Sequence, residues 1–210
     1  MGPTGPFFVG SQTYLHTHNK VLMEPKLKTF LEIGVADFDT LIPMAAKGGW
    51  TGYCVEPMPH HIESLNKMSK GLPVTICPFA VSDKNGTAKM AVGNDLERWA
   101  TGANHIIDSN HLGERVLEIP ANEFLRREDI EVTCLTLDAL IDMYSITEID
   151  FCKIDVEGHE VNILGNYSWK VKPKVIKCEH IHIPGNMLDH ILTPQGYTIF
   201  VEENDIYCIL

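Results

Sequence analysis

The sequence predicts an α/β fold in which a mostly parallel sheet of seven strands carries helices on both faces and ends in an antiparallel hairpin. Apolar, strand-like runs alternate with amphipathic, helix-like runs along most of the chain, which is typical of a parallel sheet with helical crossovers. The last two β-rich runs are instead neighbours in sequence, joined by a short polar link. The 210 residues suffice for one domain with a sizeable core.

Six strand-like runs precede the hairpin. They cover residues 29–33, 52–55, 74–81, 131–135, 149–154 and 174–178. After the first run, residues 40–47 are predicted to form a short helix, since Pro43 is tolerated in a first helical turn. Apolar residues at helical spacing also follow the second, fourth and fifth runs. This repetition of strand, helix and strand predicts parallel neighbours in the sheet.

The carboxyl-terminal runs break this alternation. Residues 197–201 and 206–210 are separated by the polar residues 202–205, which suit an antiparallel hairpin. A parallel sheet that finishes in such a hairpin has the layout of the class I methyltransferases and differs from that of a dehydrogenase.

One long stretch, residues 93–120, shows little periodicity and contains Trp99, Asn104 and His105. Loops of this length often cover active sites, so these three side chains are candidates for contact with a substrate. A long surface loop without such a role is the alternative.

Composition narrows the class of partner and the compartment. Lys and Arg number 17 against 28 Asp and Glu, for a formal charge of -11, which disfavours a nucleic-acid partner. The six cysteines form no CxxC pair and lie in apolar runs, as reduced core thiols do. No apolar run approaches membrane-spanning length, and the amino terminus lacks the pattern of a signal peptide. We therefore expect a cytoplasmic protein that does not insert into membranes.

The chain opens with Met-Gly-Pro-Thr-Gly-Pro, a composition typical of linkers. Residues 1–28 are accordingly predicted to be an amino-terminal extension or linker, and residues 29–210 to be the functional domain. Such an opening also suggests that this domain is part of a longer polypeptide.

The ends of the first two strands predict a nucleotide-like ligand. Gly34 follows the first strand after Glu32, and a glycine at a strand-to-helix turn lets the backbone approach a ligand closely. Asp39 and Thr40 are suitable caps for the next helix. The second strand ends in Glu56 and Pro57, which puts a carboxylate where a ribose diol would be bound. The alternative is that both glutamates are ordinary turn acids.

The fifth strand runs into four polar side chains, Asp155, Glu157, His159 and Glu160. Ligands bind at the carboxyl ends of parallel strands, so this segment predicts a reaction centre. The alternative is that Asp155 caps the next helix while the other acids are solvated or accept hydrogen bonds from loop amides.

Five blocks of the sequence carry a family resemblance. They are residues 31–40, Val-Glu-Pro at 55–57, Phe-Ala-Val-Ser-Asp at 79–83, Leu-Thr-Leu-Asp at 135–138 and Lys-Ile-Asp-Val-Glu-Gly-His-Glu at 153–160. Together they resemble the FkbM-type S-adenosylmethionine-dependent methyltransferases over about residues 29–210. The resemblance implies a Rossmann-like sheet, S-adenosylmethionine as donor, and methyl transfer to oxygen, often that of a sugar or macrolide hydroxyl.

The resemblance also implies roles for individual residues. Glu32 and Gly34 would lie at the methionine end of the cofactor and Glu56 at its ribose. The residues near the adenine would be Ala80, Val81, Ser82 and Asp83. Phe38 stands where the family usually has a second glycine.

Methyl transfer to a hydroxyl needs either a base or a metal ion to remove the proton. The sixth strand ends in Glu179, His180 and His182, next to Asp155 if the two strands are neighbours. Asp155, Glu179 and His180 could hold Mg²⁺ or Mn²⁺. Alternatively, His180 or His182 is a metal-free base. Strand alternation puts the two histidines on one face and Glu179 on the other, which opposes a shared ion unless the strand ends by His180.

The leading functional prediction is an O-methyltransferase that acts on a hydroxyl of a sugar or glycan. A further prediction is that it is appended to another catalytic domain such as a glycosyltransferase. The alternatives are methylation of a macrolide or other small molecule, a nicotinamide-dependent oxidoreductase, and a catalytically silent ligand-binding domain.

Overall fold

The structure is a computed structural model that describes residues 26–93, 104–107 and 127–210. In chain order the strands are β1 (Lys28–Ile33), β2 (Trp50–Val55), β3 (Val74–Cys77), β4 (Ala80–Val81), β5 (Gly86–Gly93), β6 (His105–Ile107), β7 (Arg127–Leu135), β8 (Phe151–Ile154), β9 (Val175–Glu179), β10 (Thr198–Glu202) and β11 (Asp205–Ile209). The helices are α1 (Ile42–Ala46), α2 (Pro59–Met68), α3 (Leu137–Met143), α4 (Glu160–Gly165) and α5 (Met187–Leu192). A 3-10 turn covers Thr193–Gln195.

The central sheet has seven strands in the order β10-β11-β9-β8-β1-β2-β3. Its strands are parallel from β3 through β9, and β11 pairs antiparallel with both β9 and β10. This confirms the predicted Rossmann-like fold with its terminal hairpin. The chain leaves β1 toward β2 on one side, while β8 pairs on the other, so the carboxyl ends of these strands form a topological switch point.

Helices cover both faces of this sheet. Phe30 and Leu31 are consecutive on β1 and therefore point to opposite faces, and both are fully buried. Phe30 packs in a cluster with residues of α1 and α2. Leu31 belongs to the larger cluster, which includes residues of α3, α4 and α5. All six cysteines are buried and unpaired. Within the described ranges, no helix combines the length and the apolar character that crossing a membrane requires.

A second sheet corrects part of the sequence prediction. The run at 131–135 was expected in the central sheet, but it lies in β7, which belongs to a four-stranded sheet ordered β4-β7-β5-β6. The run at 74–81 divides into β3 and β4 on either side of Pro78, because proline has no amide to continue a ladder. Apolar periodicity identified these segments as strands but carries no information on which sheet they join.

The stretch expected to be one loop, residues 93–120, contains β6, which pairs antiparallel with β5. β5 itself was not predicted, since its small and polar residues give a weak strand pattern. The predicted substrate residue Trp99 lies outside the described residues, as do residues 1–25 of the predicted extension.

Gly52 on β2 provides a test of how the Phe30 ring of β1 packs over the neighbouring strand. A Cβ atom at Gly52 would lie 2.2 Å from the Phe30 ring, too close for a non-bonded contact. Gly52→Ala should therefore lower the free energy of unfolding by about 1–3 kcal/mol, measured by urea denaturation. Gly165→Ala is the control, because its Cβ would meet only Ile191 Cδ1 at 3.7 Å. Equal destabilisation of both variants would contradict this packing.

Candidate active site

A cavity of about 320 Å³ lies at the carboxyl ends of β1, β2 and β8. The loops after these strands line it together with the end of β9 and with residues of the second sheet. Among the predicted site residues, those that line it are Gly34, Asp39, Glu56, Pro57, Ala80, Val81, Asn104, Asp155 and Glu179. The second sheet also contributes Met90 and Ile106. Sequence analysis missed these two residues because it did not predict β5 or β6.

Gly34 joins the ends of three strands. Its amide donates to the carbonyl of Val55 at 3.1 Å, and the amide of Asp155 donates to the carbonyl of Ile33 at 3.0 Å. The φ of Gly34 is +76°, and a Cβ there would lie 1.8 Å from the carbonyl oxygen of Asp155. Only glycine combines this backbone conformation with this close contact. The backbone after β1 is thereby exposed to the cavity.

Glu32 is fully buried and supports the loop after β1. Its Oε2 accepts hydrogen bonds from the amide of Leu41 and the hydroxyl of Thr40, both at 2.9 Å. Lys153 Nζ lies 3.5 Å from Glu32 Oε1 and donates to the carbonyl of Asp39 at 2.8 Å. Burial raises the pKa of Glu32, and the Lys153 ammonium opposes this rise. Glu32 and Thr40 do not line the cavity within the described residues, so the structure gives them a supporting position behind the predicted methionine end.

Glu56 presents a buried carboxylate to the cavity. It is 4 % exposed, and its two oxygens accept hydrogen bonds from the amides of Ala36 at 2.9 Å and Met58 at 2.8 Å. Burial raises the pKa of Glu56 to about 7, against the effect of these amide donors. Each oxygen keeps a second lone pair, which can accept a hydrogen bond from a ligand hydroxyl.

His159 forms a further part of the cavity wall. It is 1 % exposed, lines the cavity, and its Nε2 lies 3.0 Å from the Ser82 hydroxyl. Ser82 donates to the carboxylate of Asp83 at 3.0 Å. Neither Ser82 nor Asp83 is a lining residue among those described, so His159 stands between them and the cavity. The sequence placed His159 among the polar side chains that follow the fifth strand, but its burial at the start of α4 is not visible in the sequence.

Acidic groups converge at the ends of β8 and β9. Asp155, Glu157 and Glu179 line the cavity, and His182 Nε2 lies 3.0 Å from Glu157 Oε2 and 3.7 Å from Glu179 Oε2. The hydrogen bond to Glu157 raises the pKa of His182. Burial and the charge of Asp155 raise the pKa of Glu179, and burial raises the pKa of Asp155. The arrangement therefore favours protonated His182 and a basic carboxylate at Asp155.

His180 does not join this group, which corrects the predicted metal ligands. β9 ends at Glu179, and the amide of His180 donates to the carbonyl of Asn204 in the terminal hairpin. The ring Nε2 of His180 lies 3.2 Å from the carbonyl oxygen of Glu203. Among the described residues, the group whose ligand atoms all lie within 4.8 Å of one another is Glu157, Glu179 and His182. Strand alternation does not apply here, because β9 ends at Glu179, which is the exception that the sequence prediction allowed.

Comparison with known families agrees with this geometry. The family model of the methyltransferase FkbM domain matches residues 30–198, which is most of the chain. The chain belongs to the FkbM methyltransferase family. Its membership supports S-adenosylmethionine-dependent methyl transfer as the general activity.

Two further comparisons add no functional detail for this FkbM methyltransferase. The search of curated proteins gave no significant match. A chain in the crystal structure of the fibrillarin/Nop5p complex is similar over 86 % of this chain and 70 % of its own length, with 14 % identity and a TM-score of 0.44.

The cavity residues fit the family's cofactor. Gly34 and Ala36 line it without a long side chain, so the backbone after β1 can approach the ligand. Glu56 offers buried hydrogen-bond acceptors of the kind that bind a ribose diol. Phe38, which replaces the family's usual glycine, also lines the cavity and is 38 % exposed.

Glu160, the last acid of the family's most specific block, closes the turn after β8. It is fully buried, and its Oε1 accepts a hydrogen bond from the amide of Val156 at 2.9 Å. Burial raises the pKa of Glu160 from its ordinary 4.5 to about 7. The folded protein therefore holds this proton more tightly than the unfolded chain does, and the resulting stability is lost as the pH rises through 7.

Glu160→Gln tests this assignment, because glutamine keeps the Oε1 acceptor and cannot ionise. The variant should match the wild type near pH 4.5 and exceed its free energy of unfolding by roughly 2–3 kcal/mol at pH 8, measured by urea denaturation in EDTA. Glu63→Gln, at an exposed position on α2, is the control and should change little at either pH. A difference between Glu160→Gln and wild type that does not vary with pH would contradict the raised pKa.

Proposed function

We propose that this FkbM methyltransferase transfers the methyl group of S-adenosylmethionine to a hydroxyl of a sugar or glycan. The observation that carries the proposal is that four acidic residues, Glu56, Asp155, Glu157 and Glu179, line one cavity. The first suits the ribose of the donor. The other three are hydrogen-bond acceptors suited to an acceptor molecule that is rich in hydroxyl groups.

The bound donor supplies a methyl group on a positively charged sulfur. Glu56 binds the ribose hydroxyls, and its own position is fixed by the amides of Ala36 and Met58. The backbone at Gly34, which lines the cavity, would hold the donor's methionine end. These contacts fix the direction from which the acceptor oxygen must approach, which is the main contribution a protein makes to a displacement reaction.

The acceptor hydroxyl must lose its proton, and Asp155 is the proposed base. Asp155 lines the cavity, and burial raises the pKa of its carboxylate, so it is a stronger base than an exposed aspartate. His182 Nε2 lies 3.0 Å from Glu157 Oε2, and the hydrogen bond to that carboxylate raises the pKa of His182, which makes its neutral, basic form less available. His180 faces the hairpin. Of the three predicted catalytic residues, Asp155 therefore suits the role best.

Asn104 is proposed to contact the acceptor, since it is buried in the cavity wall. For His105 the structure describes only the backbone in β6. Attachment to another catalytic domain and a cytoplasmic location remain predictions from the sequence. The family match argues against a nicotinamide-dependent oxidoreductase.

Glu56→Ala should weaken binding of S-adenosylhomocysteine at least tenfold, because it removes two charge-assisted hydrogen bonds worth roughly 1.5–3 kcal/mol each. Calorimetric titration measures this dissociation constant. Glu63→Ala, at an exposed glutamate on α2, is the matched control and should bind like the wild type. A folded Glu56→Ala protein with unchanged affinity would remove Glu56 from the donor site.

Methyl transfer from labelled S-adenosylmethionine to a panel of sugars, glycans and macrolides tests the function. Asp155→Asn should lower kcat about 100-fold or more on the accepted substrate, with little change in affinity for S-adenosylhomocysteine. Asp142→Asn alters an exposed aspartate on α3 and is the control. Methyl transfer to a macrolide and to no sugar or glycan would contradict the proposed acceptor class. Near-normal turnover by the Asp155→Asn variant would exclude Asp155 as the base.

A further inference from the structure

The ends of β8 and β9 bring two carboxylates and one imidazole together at the edge of the cavity. Glu157 follows β8, Glu179 ends β9, and His182 lies in the turn that follows. We propose that Glu157, Glu179 and His182 bind a divalent cation that holds the acceptor hydroxyl beside Asp155. The cation's role rests on the proposed function, whereas its binding does not.

The distances within this group suit a metal ion. His182 Nε2 lies 3.0 Å from Glu157 Oε2 and 3.7 Å from Glu179 Oε2. Metal–ligand bonds of about 2.1 Å place neighbouring ligand atoms about 3.0–3.4 Å apart in octahedral or tetrahedral geometry. All three ligand atoms can therefore approach one ion, which would displace any proton that His182 Nε2 shares with Glu157, since a metal ligand must be deprotonated.

Several buried polar atoms near the group have no hydrogen-bond partner in the described part of the chain. They include Glu179 Oε2 and His182 Nδ1. Behind them, Glu160 is fully buried, its Oε2 also has no partner, and its charge acts on both Glu179 and His182. Leaving a buried carboxylate oxygen without a hydrogen bond costs free energy, and a bound cation would reduce that cost.

The neighbouring lysines are already engaged. Lys153 contacts Asp39 and Glu32, and Lys177 pairs with Asp205 at 2.9 Å. Within the described residues, Glu157, Glu160 and Glu179 make no ion pair with a lysine or arginine. Glu157 and Glu179 thus share a single imidazole, and the charge of Glu160 acts on both His182 and Glu179. This imbalance favours a divalent ion over the one proton that His182 can hold.

The ligand types indicate the class of ion. Carboxylates suit Mg²⁺ and Mn²⁺, and an imidazole shifts the preference toward transition metals, so Mn²⁺ is the probe of choice. Glu157 and Glu179 line the cavity, which leaves the remaining coordination positions open to an acceptor oxygen.

The ion would lower the pKa of the bound hydroxyl. Asp155 then takes the proton, the oxygen's electron pair forms the bond to the methyl carbon, and the carbon–sulfur bond breaks with its electrons returning to sulfur. The products are the methyl ether, S-adenosylhomocysteine and protonated Asp155.

The test is Mn²⁺ binding to the untagged full chain after EDTA treatment and dialysis, without donor or acceptor, by calorimetry and by electron paramagnetic resonance of free Mn²⁺. We expect one Mn²⁺ per chain. Glu179→Gln and His182→Ala should each weaken binding at least tenfold. His180→Ala is the matched control, since it removes a neighbouring histidine outside the group, and it should bind like the wild type.

No stoichiometric binding by the wild type would overturn the proposal, as would equal losses in His180→Ala and His182→Ala. Circular dichroism and titration with S-adenosylhomocysteine show whether each variant is folded, and Glu157→Gln replaces any variant that is not. If Mn²⁺ binds but no hydroxyl is methylated, the cation site is supported and the proposed function is rejected. Methyl transfer that survives EDTA, in a protein that binds no Mn²⁺, would reject the cation site alone.

Discussion

The contact between the Gly34 turn and the carbonyl of Asp155 sets the geometry of the whole site. A side chain at position 34 would occupy the space of that carbonyl oxygen, so the loops after β1 and β8 can approach only through glycine. The amide of Gly34 also bonds to Val55, immediately before Glu56. One residue thereby fixes the separation between the proposed ribose ligand and the proposed base. Displacement reactions are sensitive to such separations, because small errors in alignment cost large factors in rate.

A buried ion pair supports this turn from behind. Lys153 and Glu32 lie within the sheet, where both charges are removed from water. Buried pairs of this kind contribute little net stability, but each charge strongly constrains where the other can lie. Here the pair also binds the backbone of the loop at Leu41 and Asp39. The loop after β1 is therefore held in place from the side of the sheet, which leaves its backbone on the cavity side accessible to a ligand.

The sequence predicted the features that depend on local pattern. Apolar runs predicted the strands of the central sheet. The residues that follow these strands were predicted to form the site, and Gly34, Glu56 and Asp155 do line the cavity. What it could not predict depends on where strands stop and pair. A single residue's difference in the end of β9 decides that His182 and not His180 meets Glu157. Which strands pair with β7 likewise depends on tertiary packing, because a buried strand has the same apolar sequence pattern in either sheet.

The burial of all six cysteines has a consequence for chemistry with a reactive methyl donor. Thiolates are strong nucleophiles toward alkylating groups, and the reactive form is the ionised one. Burial raises the pKa of Cys152 and of Cys208 to about 12, so both thiols stay protonated at neutral pH. Cys54, Cys134 and Cys178 shift in the same direction, as does Cys77. Within the described residues no cysteine lines the cavity, so the packing of the core would keep all six thiols away from a bound methyl donor.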